Sequence, residues 1–539
     1  MPLLSVVIPT LNRPDTLRHA LATLQVQAAG DCEFIIQNNG GNAEIAALVA
    51  ALDDPRFKHF TTPEIVTMTE NWEMALDRAT GDYVTFIGDD DGLMPDACAI
   101  ATEIFKHGDL ELLSWAPFAY YWPDYYHPGF RNRLVASINL RFTAERIDSR
   151  DELAQFYGFQ THYARLPMIY NSFVHRDVID RMKAAEGRYF LGLSPDVTSG
   201  IVNAALTRSF VRLSRPLSLS GLSRHSTGHT TFFRETDALG SPRGRRDFGS
   251  ITKDARLPDL NTLPLFLAND MLLVQRRLFP TDSGVSVSFQ GLAQAIATDI
   301  NDRPEIYDRT LQSVRDLAAL HDLDLGAIVV PARLPGRPAL GTGLTIQGPE
   351  RVQFRLDGAA LGLRSVADAV RVIAQFVPRG DALDPAILPA LMRSPVLTED
   401  GLDFARAGNG AGALVEGWSE AESWGVWSVA KQCRLRFKID PVPTAPVSVE
   451  VTCRGFVHAR HPRLQVSCRI GTTAPQEWEF SVSSARGCRK LRIEPDAVAP
   501  DGEVTVTLTL NNPRSPAELG LAADVRPLGI GVECMWIAG

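Results

Sequence analysis

Three consecutive carboxylates, Asp89-Asp90-Asp91, stand at the end of the apolar run Tyr83-Val84-Thr85-Phe86-Ile87-Gly88 and are closed by Gly92. A run of apolar, β-branched and aromatic residues reads as a buried strand, and a buried strand does not carry three charges in its middle. The triplet therefore belongs at the strand's carboxyl end, the edge where open α/β sheets place their ligands. Adjacent carboxylates repel each other unless a positive charge lies between them, and a hard divalent cation with oxygen ligands meets that need. The chemistry indicated is metal-assisted handling of a phosphorylated substrate.

The elements that must position the triplet precede it. Residues 3–8 form a short continuous apolar run, the mark of a strand buried on both faces. Pro9-Thr10-Leu11-Asn12-Arg13-Pro14 ends it, with Pro14 suited to a first helical turn. Leu17, Leu21 and Leu24 then recur at helical spacing, so a helix is expected over 14–27. A second strand over 33–36 stops at Gln37-Asn38-Asn39-Gly40-Gly41-Asn42. A helix over 43–52, a strand near 57–61 and a helix over 71–79 follow, and Gly81-Asp82 turns the chain into the strand that carries the triplet. This β-α-β-α-β-α-β alternation argues for a parallel sheet wound with helices, with the polar loops and the acidic triplet sharing one rim.

The bulk numbers limit what else the chain can be. Its 539 residues exceed one ordinary core, and a net charge of −9 at pH 7 argues against nucleic acid as a partner. The seven cysteines fall in no metal-ligand spacing, and an odd, scattered set fits reduced thiols of a cytoplasmic protein. The N-terminus lacks a basic region followed by a long apolar stretch, so no signal peptide is expected. The most apolar helical stretch, 263–274, is interrupted by Pro264, Asn269 and Asp270 and is too short to span a bilayer.

Four blocks in order carry a family resemblance: Pro9 to Arg13; Glu33 to Gly40; Asn71-Trp72 through Thr80-Gly81-Asp82; and Gly88 to Gly92. Together they resemble the family 2 glycosyltransferases, strongly over about the first 100 residues and more weakly to about residue 235. The resemblance implies a GT-A fold, a Rossmann-like mixed sheet with helices on both faces, and an inverting transfer from a nucleotide-sugar donor. It implies donor contacts from Pro9, Thr10, Asn12, Arg13, Asn38, Asn39, Asn71, Asp89 and Asp90, with Mg2+ or Mn2+ held by Asp91 and Asp89. The family usually has Asp at Asn38, so a carboxylate contact to base or ribose becomes an amide contact here. Similar enzymes carry their general base at a helix start about a hundred residues after the triplet, which singles out Asp196 in Ser194-Pro195-Asp196, a residue whose plainer reading is a helix cap. A flexible polar segment after the last strand of such domains often closes over the donor, and His225 in Ser220 to His229 is its candidate metal ligand, ahead of His229.

The aromatic stretch holding Tyr120, Tyr121, Trp122 and Tyr126 reads either as an acceptor platform for sugar faces or as a second layer of core. From about residue 236 the composition shifts, with a basic segment at 241–246 and helical spacing over 265–279, 292–300, 304–321 and 365–376. The last 125 residues or so alternate apolar and polar positions in several short runs, the pattern of an antiparallel β-sandwich. Three regions are therefore expected: a transferase domain over 1–235, a mainly helical linking region over 236–410, and a sandwich over 411–539 that binds carbohydrate or a partner. Trp418, Trp424 and Trp427 near its start either stack on glycan or fill its core.

The expected function is a metal-dependent inverting glycosyltransferase acting on a glycan or lipid-linked glycan in synthesis of surface polysaccharide such as O-antigen or capsule. Its expected place is the cytoplasm, with room for peripheral contact at the inner face of the cytoplasmic membrane and for self-association. The alternative is a non-catalytic glycan-binding or scaffold protein carrying a degenerate transferase domain. Asp89 to Gly92 also matches the DxDG of haloacid-dehalogenase-type phosphatases, but there it ends the first strand and is followed by a threonine pattern missing here.

Overall fold

A computed structural model describes residues 2–28, 31–108, 110–226, 252–282, 284–347, 351–377, 394–406, 408–471, 473–500 and 502–538. They divide into two compact units, the first covering most of the chain to Leu383 and the second Asp384–Gly539 with the short stretches His107–Asp109 and Ala144–Arg146.

The first unit opens with the expected alternation: β1 (Leu4–Thr10), α1 (Pro14–Gln25), β2 (Cys32–Asn38), α2 (Ala43–Ala50), β3 (Phe57–Thr61), α3 (Met68–Leu76) and β4 (Tyr83–Phe86). β1 pairs in parallel with both β2 and β4, and β2 in parallel with β3. The apolar side chains of β1, β2 and β4 are buried on both faces, which is why their sequences read as continuous rather than alternating runs. The third helix begins at Met68, earlier than its apolar spacing suggested, because Thr67 and Glu70 form a reciprocal capping box.

Beyond β4 come β5 (Gly92–Leu93), α4 (Ala97–His107), β6 (Leu112–Trp115), β7 (Phe118–Tyr121), β8 (Arg133–Asn139), β9 (Ala144–Asp148) and α5 (Ser149–Tyr157). These are followed by β10 (Ser172–His175), α6 (Arg176–Glu186), α7 (Pro195–Leu206), β11 (Ser209–Leu213) and β12 (Ser218–Leu222). An eight-stranded mixed sheet runs in the order β3-β2-β1-β4-β10-β6-β11-β9, with β10 antiparallel to β4 and β6. In a smaller second sheet β12 pairs with β5 and β7, and the order continues through β8 to β14 (Arg351–Asp357) and then β13 (Gly343–Ile346) at the edge.

The segment expected to be a linking region is built into this unit. The helices α8 (Leu263–Leu278), α9 (Phe289–Thr298) and α10 (Tyr307–His321) bury Leu265, Phe266, Met271, Leu292, Ile296 and Leu317 in one core with Trp72, Phe86, Tyr189 and Ile201. The apolar stretch read as too short for a bilayer is thus a core helix, and no helix among the described residues is long and apolar enough to cross a membrane. A short helix α11 (Val366–Ile373) packs on α1 and β5. The basic segment at 241–246 and His229 lie outside the described residues.

The second unit holds two five-stranded sheets, one centred on Val447–Gly455 and Ile530–Ile537, the other on Gln432–Lys438 and Glu503–Leu510. These strands pair antiparallel, and the inward residues of both sheets (Leu435, Phe437, Val449, Val451, Val506 and Val532 among them) share one apolar core. This is the expected antiparallel sandwich. Trp418 packs against that core and donates its indole N–H to the Arg434 carbonyl. Trp424 and Trp427 meet edge to face at 5.1 Å, with the Arg454 guanidinium 3.8 Å over the Trp424 ring.

Candidate active site

A cleft of about 390 Å³ opens at the carboxyl end of the parallel strands, between the loops after β1 and β4, the α3 start, the loop before α7 and the first turn of α8. Of the residues singled out as donor contacts, Pro9, Thr10, Arg13, Asn39, Asn71, Asp89 and Asp90 line it, and Asp196 lines it with them. Asn12, Asn38, Asp91, His225 and the four aromatic candidates Tyr120, Tyr121, Trp122 and Tyr126 do not.

The three carboxylates of the triplet are each nearly fully buried, yet they face different partners. Asp89 accepts a 2.6 Å hydrogen bond from the Thr10 hydroxyl and a 3.2 Å ion-paired one from Arg13, so the loop after β1 is tied to the loop after β4. Burial pushes its carboxyl above the ordinary Asp range, against the pull of Arg13. Asp90 accepts from the Ser223 and Ser226 hydroxyls at 2.7 and 2.6 Å through Oδ2, while its Oδ1 accepts no hydrogen bond among the described residues. Asp91 is different. Its Oδ1 accepts the Gly221 N–H at 2.6 Å and its Oδ2 the Gly88 N–H at 2.7 Å, with the Tyr170 hydroxyl as a further neighbour. Burial first, and then the Asp90 charge, push its carboxyl up to about 7.

Asp91, expected as the principal metal ligand, does not line the cleft. Both of its oxygens are engaged by backbone amides, and it lies behind the cleft wall, where it fastens the acidic loop to β12. Gly221 is required at that contact, since a Cβ there would fall 1.7 Å from the Asp90 carbonyl oxygen. Asp90 keeps one carboxylate oxygen without a hydrogen bond among the described residues, while both oxygens of Asp89 beside it are engaged, by Thr10 and Arg13. Among the described residues no group of three or more His, Cys, Asp or Glu is placed to hold a metal alone. Two carboxylates fit a cation that draws its remaining ligands from water and substrate phosphates, the usual manner of Mg2+ at phosphoryl sites. A diphosphate next to Asp89 and Asp90 would otherwise be repelled by both.

His225, the candidate ligand of the polar segment, accepts from Arg224 Nε at 2.8 Å and does not line the cleft. Asn38 is turned away as well. Its amide donates to the Asn42 carbonyl at 2.8 Å and accepts from the Asn42 N–H at 3.1 Å, bracing the loop that it begins. Asn12, at a positive φ of 54°, accepts from the Asn42 amide and serves the same loop. Asn39 reaches the cleft but its side chain is held by Val66, whose N–H it accepts and whose carbonyl it donates to, both at 2.9 Å. Asn71 is the reverse case: its Oδ1 is buried at the cleft wall with no hydrogen-bond partner among the described residues.

Tyr120 and Trp122 are packed behind the acidic loop. Tyr120 is fully buried and donates to Asn132, and the Trp122 indole donates to the Asp90 carbonyl at 3.0 Å. Tyr126 accepts from Arg337. These rings meet one another at 4.5–6.1 Å and leave no sugar-stacking face toward the cleft.

Asp196 sits in the first turn of α7, after Pro195 has fixed the turn's φ. It is part-exposed and lines the cleft, and removal from water pushes its carboxyl upward despite the amides of Asp196 and Val197. Two residues that support it were not singled out in the sequence. Asp270 of α8 is fully buried and accepts the N–H of Leu193, and the N–H and hydroxyl of Ser194, fixing the turn that delivers Asp196. Tyr170 stacks on Trp72 at 5.8 Å and lines the cleft between the triplet and Asp196. A lone Asp inside an apolar helix was the available signal for Asp270. Tyr170, in an irregular loop, carried none.

A model of glycosyl transferase family 2 matches residues 5–160, the stretch that builds the parallel strands and the acidic loop. The chain carries a family 2 glycosyltransferase domain. The chain is 36% identical over 111 residues to the GalNAc(5)-diNAcBac-PP-undecaprenol beta-1,3-glucosyltransferase of Campylobacter jejuni subsp. jejuni serotype O:2, an overlap of 20% of this chain and 36% of that enzyme. The chain thus spans about a third of that relative's length. Among solved structures it resembles S. aureus TarS 1-349 in complex with UDP-GlcNAc, at 12% identity and a TM-score of 0.36 over 60% of this chain and 91% of that one. It also resembles the mannosyltransferase PcManGT of Pyrobaculum calidifontis in complex with GDP-Man and Mn2+, at 13% identity and a TM-score of 0.34 over 60% and 77%.

Proposed function

We propose that the first unit transfers a sugar from a nucleotide-sugar donor to a hydroxyl of a glycan or lipid-linked glycan, with inversion and with a divalent cation, in the assembly of a surface polysaccharide. The observation that carries the reading is that one cleft holds Thr10, Arg13, Asp89 and Asp90 together with the desolvated carboxyl of Asp196.

In this reading the diphosphate lies against Arg13 and the acidic loop. A bound Mg2+ or Mn2+, held by Asp90 and Asp89, would supply charge neutralisation for the leaving diphosphate. Arg13, positioned by Asp89, adds a fixed cation to the same leaving group. Asp196 takes the proton from the acceptor hydroxyl as that oxygen bonds to the anomeric carbon and the carbon–oxygen bond to the diphosphate breaks. Its raised pKa makes it a better base than an ordinary Asp, provided it is ionised. A single displacement on the face opposite the leaving group gives inversion. Asn71, with its unpartnered oxygen, is a ready acceptor for a donor hydroxyl.

The test is calorimetric titration with UDP and GDP, with and without Mn2+. Metal-dependent binding of one nucleotide is expected. Absence of any such binding would favour the non-catalytic scaffold reading instead.

A further inference from the structure

The cleft does not end at Asp196. Its side bounded by His162, Tyr163 and Leu263 is shared with a second chamber of about 260 Å³ between α8 and the 299–306 turn. That chamber in turn shares Asp302 and Arg337 with a third of about 580 Å³, reached past Tyr126 and His127. Tyr163 is close enough to Asp196 to feel its charge, so the passage starts beside the candidate base. Its walls come from residues 126–127, 162–163 and 261–337, mostly beyond the 5–160 match that defines the family domain. Whatever carries the attacked hydroxyl has this passage as a way for the rest of its body to extend.

The walls indicate what that body is. Asp299, Asp302 and Glu305 face Arg303, Arg333 and Arg337, so carboxylates and guanidiniums are equal in number. A polyanion would be drawn to the arginines but driven off by the carboxylates, and an alkyl chain would strip water from both. A neutral polyhydroxyl ligand satisfies both kinds of wall, since each hydroxyl donates to a carboxylate and accepts from a guanidinium. Rings are present at the polar edges: Arg337 donates to the Tyr126 hydroxyl at 2.6 Å and lies 4.6 Å over Phe130. His127 Nδ1 is buried with no hydrogen-bond partner among the described residues, a polar atom at the third chamber. Burial of Asp299, with the Asp302 charge second, raises its carboxyl to about 6, a further sign of a partly dehydrated trough.

We propose that these two chambers are an acceptor trough for an uncharged oligosaccharide, binding sugar units beyond the one that is glycosylated. The proposal rests on the transferase reading for its direction, but its ligand is tested separately. The probes are neutral malto-, chito- and galacto-oligosaccharide ladders, each from monosaccharide to hexasaccharide, titrated by saturation-transfer NMR and calorimetry. At least one ladder is expected to gain about tenfold or more in affinity with length. The obstruction variant is Gly336→Trp. Gly336 lines the third chamber and a Cβ there meets nothing within 4 Å, so the added side chain meets no neighbour at its root and thermal unfolding should match wild type. It should abolish the length-dependent gain and leave monosaccharide binding and nucleotide binding with Mn2+ unchanged. The proposal fails if no neutral ladder shows a length-dependent gain in the wild type, or if Gly336→Trp keeps that gain. It also fails if a sulfated or phosphorylated oligosaccharide of equal length, or a polyprenyl phosphate, binds more tightly. Loss of the transferase reading would show instead in the nucleotide titration, which the trough does not touch.

Discussion

Residues 88–91 and 193–197 both bring carboxylates to one cleft, and they are held in contrasting ways. In the acidic loop the carboxylates themselves are tied down: Asp89 by Thr10 and Arg13, Asp90 by Ser223 and Ser226, Asp91 by the amides of Gly88 and Gly221. Before α7 it is the backbone and Ser194 hydroxyl that are tied, by Asp270, and the functional carboxylate is left with only the amides of its own helix start. The first arrangement suits groups that must be held in place beside a cation and a diphosphate, although burial raises the carboxyls of Asp89 and Asp91 as well. The second suits a group that must gain and lose a proton, because a carboxylate with few donors and little water holds its proton more readily. Adjacent residues in one motif thus do different work, while a residue more than seventy positions downstream completes the other loop.

The largest effect that would break this contrast is catalytic. Asp196→Ala should lower sugar transfer by roughly 10²–10⁴-fold, the usual worth of a general base, while calorimetric nucleotide affinity is unchanged. Wild-type turnover would move the base elsewhere. Next is the support beneath it. Burial raises Asp270 to about 6, above its unfolded value, so its contribution to stability is full below the ordinary Asp range and is lost as pH rises through about 6. Asp270→Asn should remove that pH dependence, worth roughly 3 kcal/mol in urea unfolding between acid and neutral pH. An unchanged pH profile of stability would mean that Asp270 is not the desolvated anion described.

Within the triplet, Asp90→Asn and Asp91→Asn should part company. The first should weaken metal-dependent nucleotide binding by about tenfold with little change in unfolding midpoint. The second should cost about 1–3 kcal/mol of stability, because the Gly88 and Gly221 amides lose a charged acceptor. The reverse pattern would return the ligand role to Asp91. The raised pKa of Asp196 also sets a sign: transfer should fall on acidification through a pH above the ordinary Asp value of about 3.9, and this acid limb is read from the pH–rate profile. The smallest effect is expected at Asn38. Asn38→Asp should leave the choice between UDP and GDP within about twofold, because that amide is engaged with Asn42 and not with the cleft.

Much of the first unit was legible in the chain. Strands buried on both faces and helices with a single apolar stripe leave periodicities that a sequence displays directly, and β1 to β4 with their helices fall within a few residues of expectation. Pro14 and Pro195 at the first helical turn marked two helix starts. The helices between 263 and 321 were also legible as helices, but not their destination: an apolar stripe says that a partner exists without saying which, and theirs is the core under α7. The aromatic stretch was ambiguous for the same reason, since ring type and spacing are alike for a sugar platform and a second core layer.

The sequence by itself determined the order of strands and helices, the rim on which the polar loops gather, and the presence of an acidic element at a strand end, because these follow from local periodicity and from the cost of burying charge. Only the tertiary structure decided which carboxylate faces the cleft. That choice depends on which oxygens are already taken, and the donors that take them, Gly221, Ser223 and Ser226, lie about 130 residues away in the chain. The same holds for Asp196, whose proton affinity is set by a cleft wall that α8 completes and whose turn is fixed by Asp270. Hydrogen-bond satisfaction and desolvation are properties of what the fold brings together, and no spacing along the chain records them.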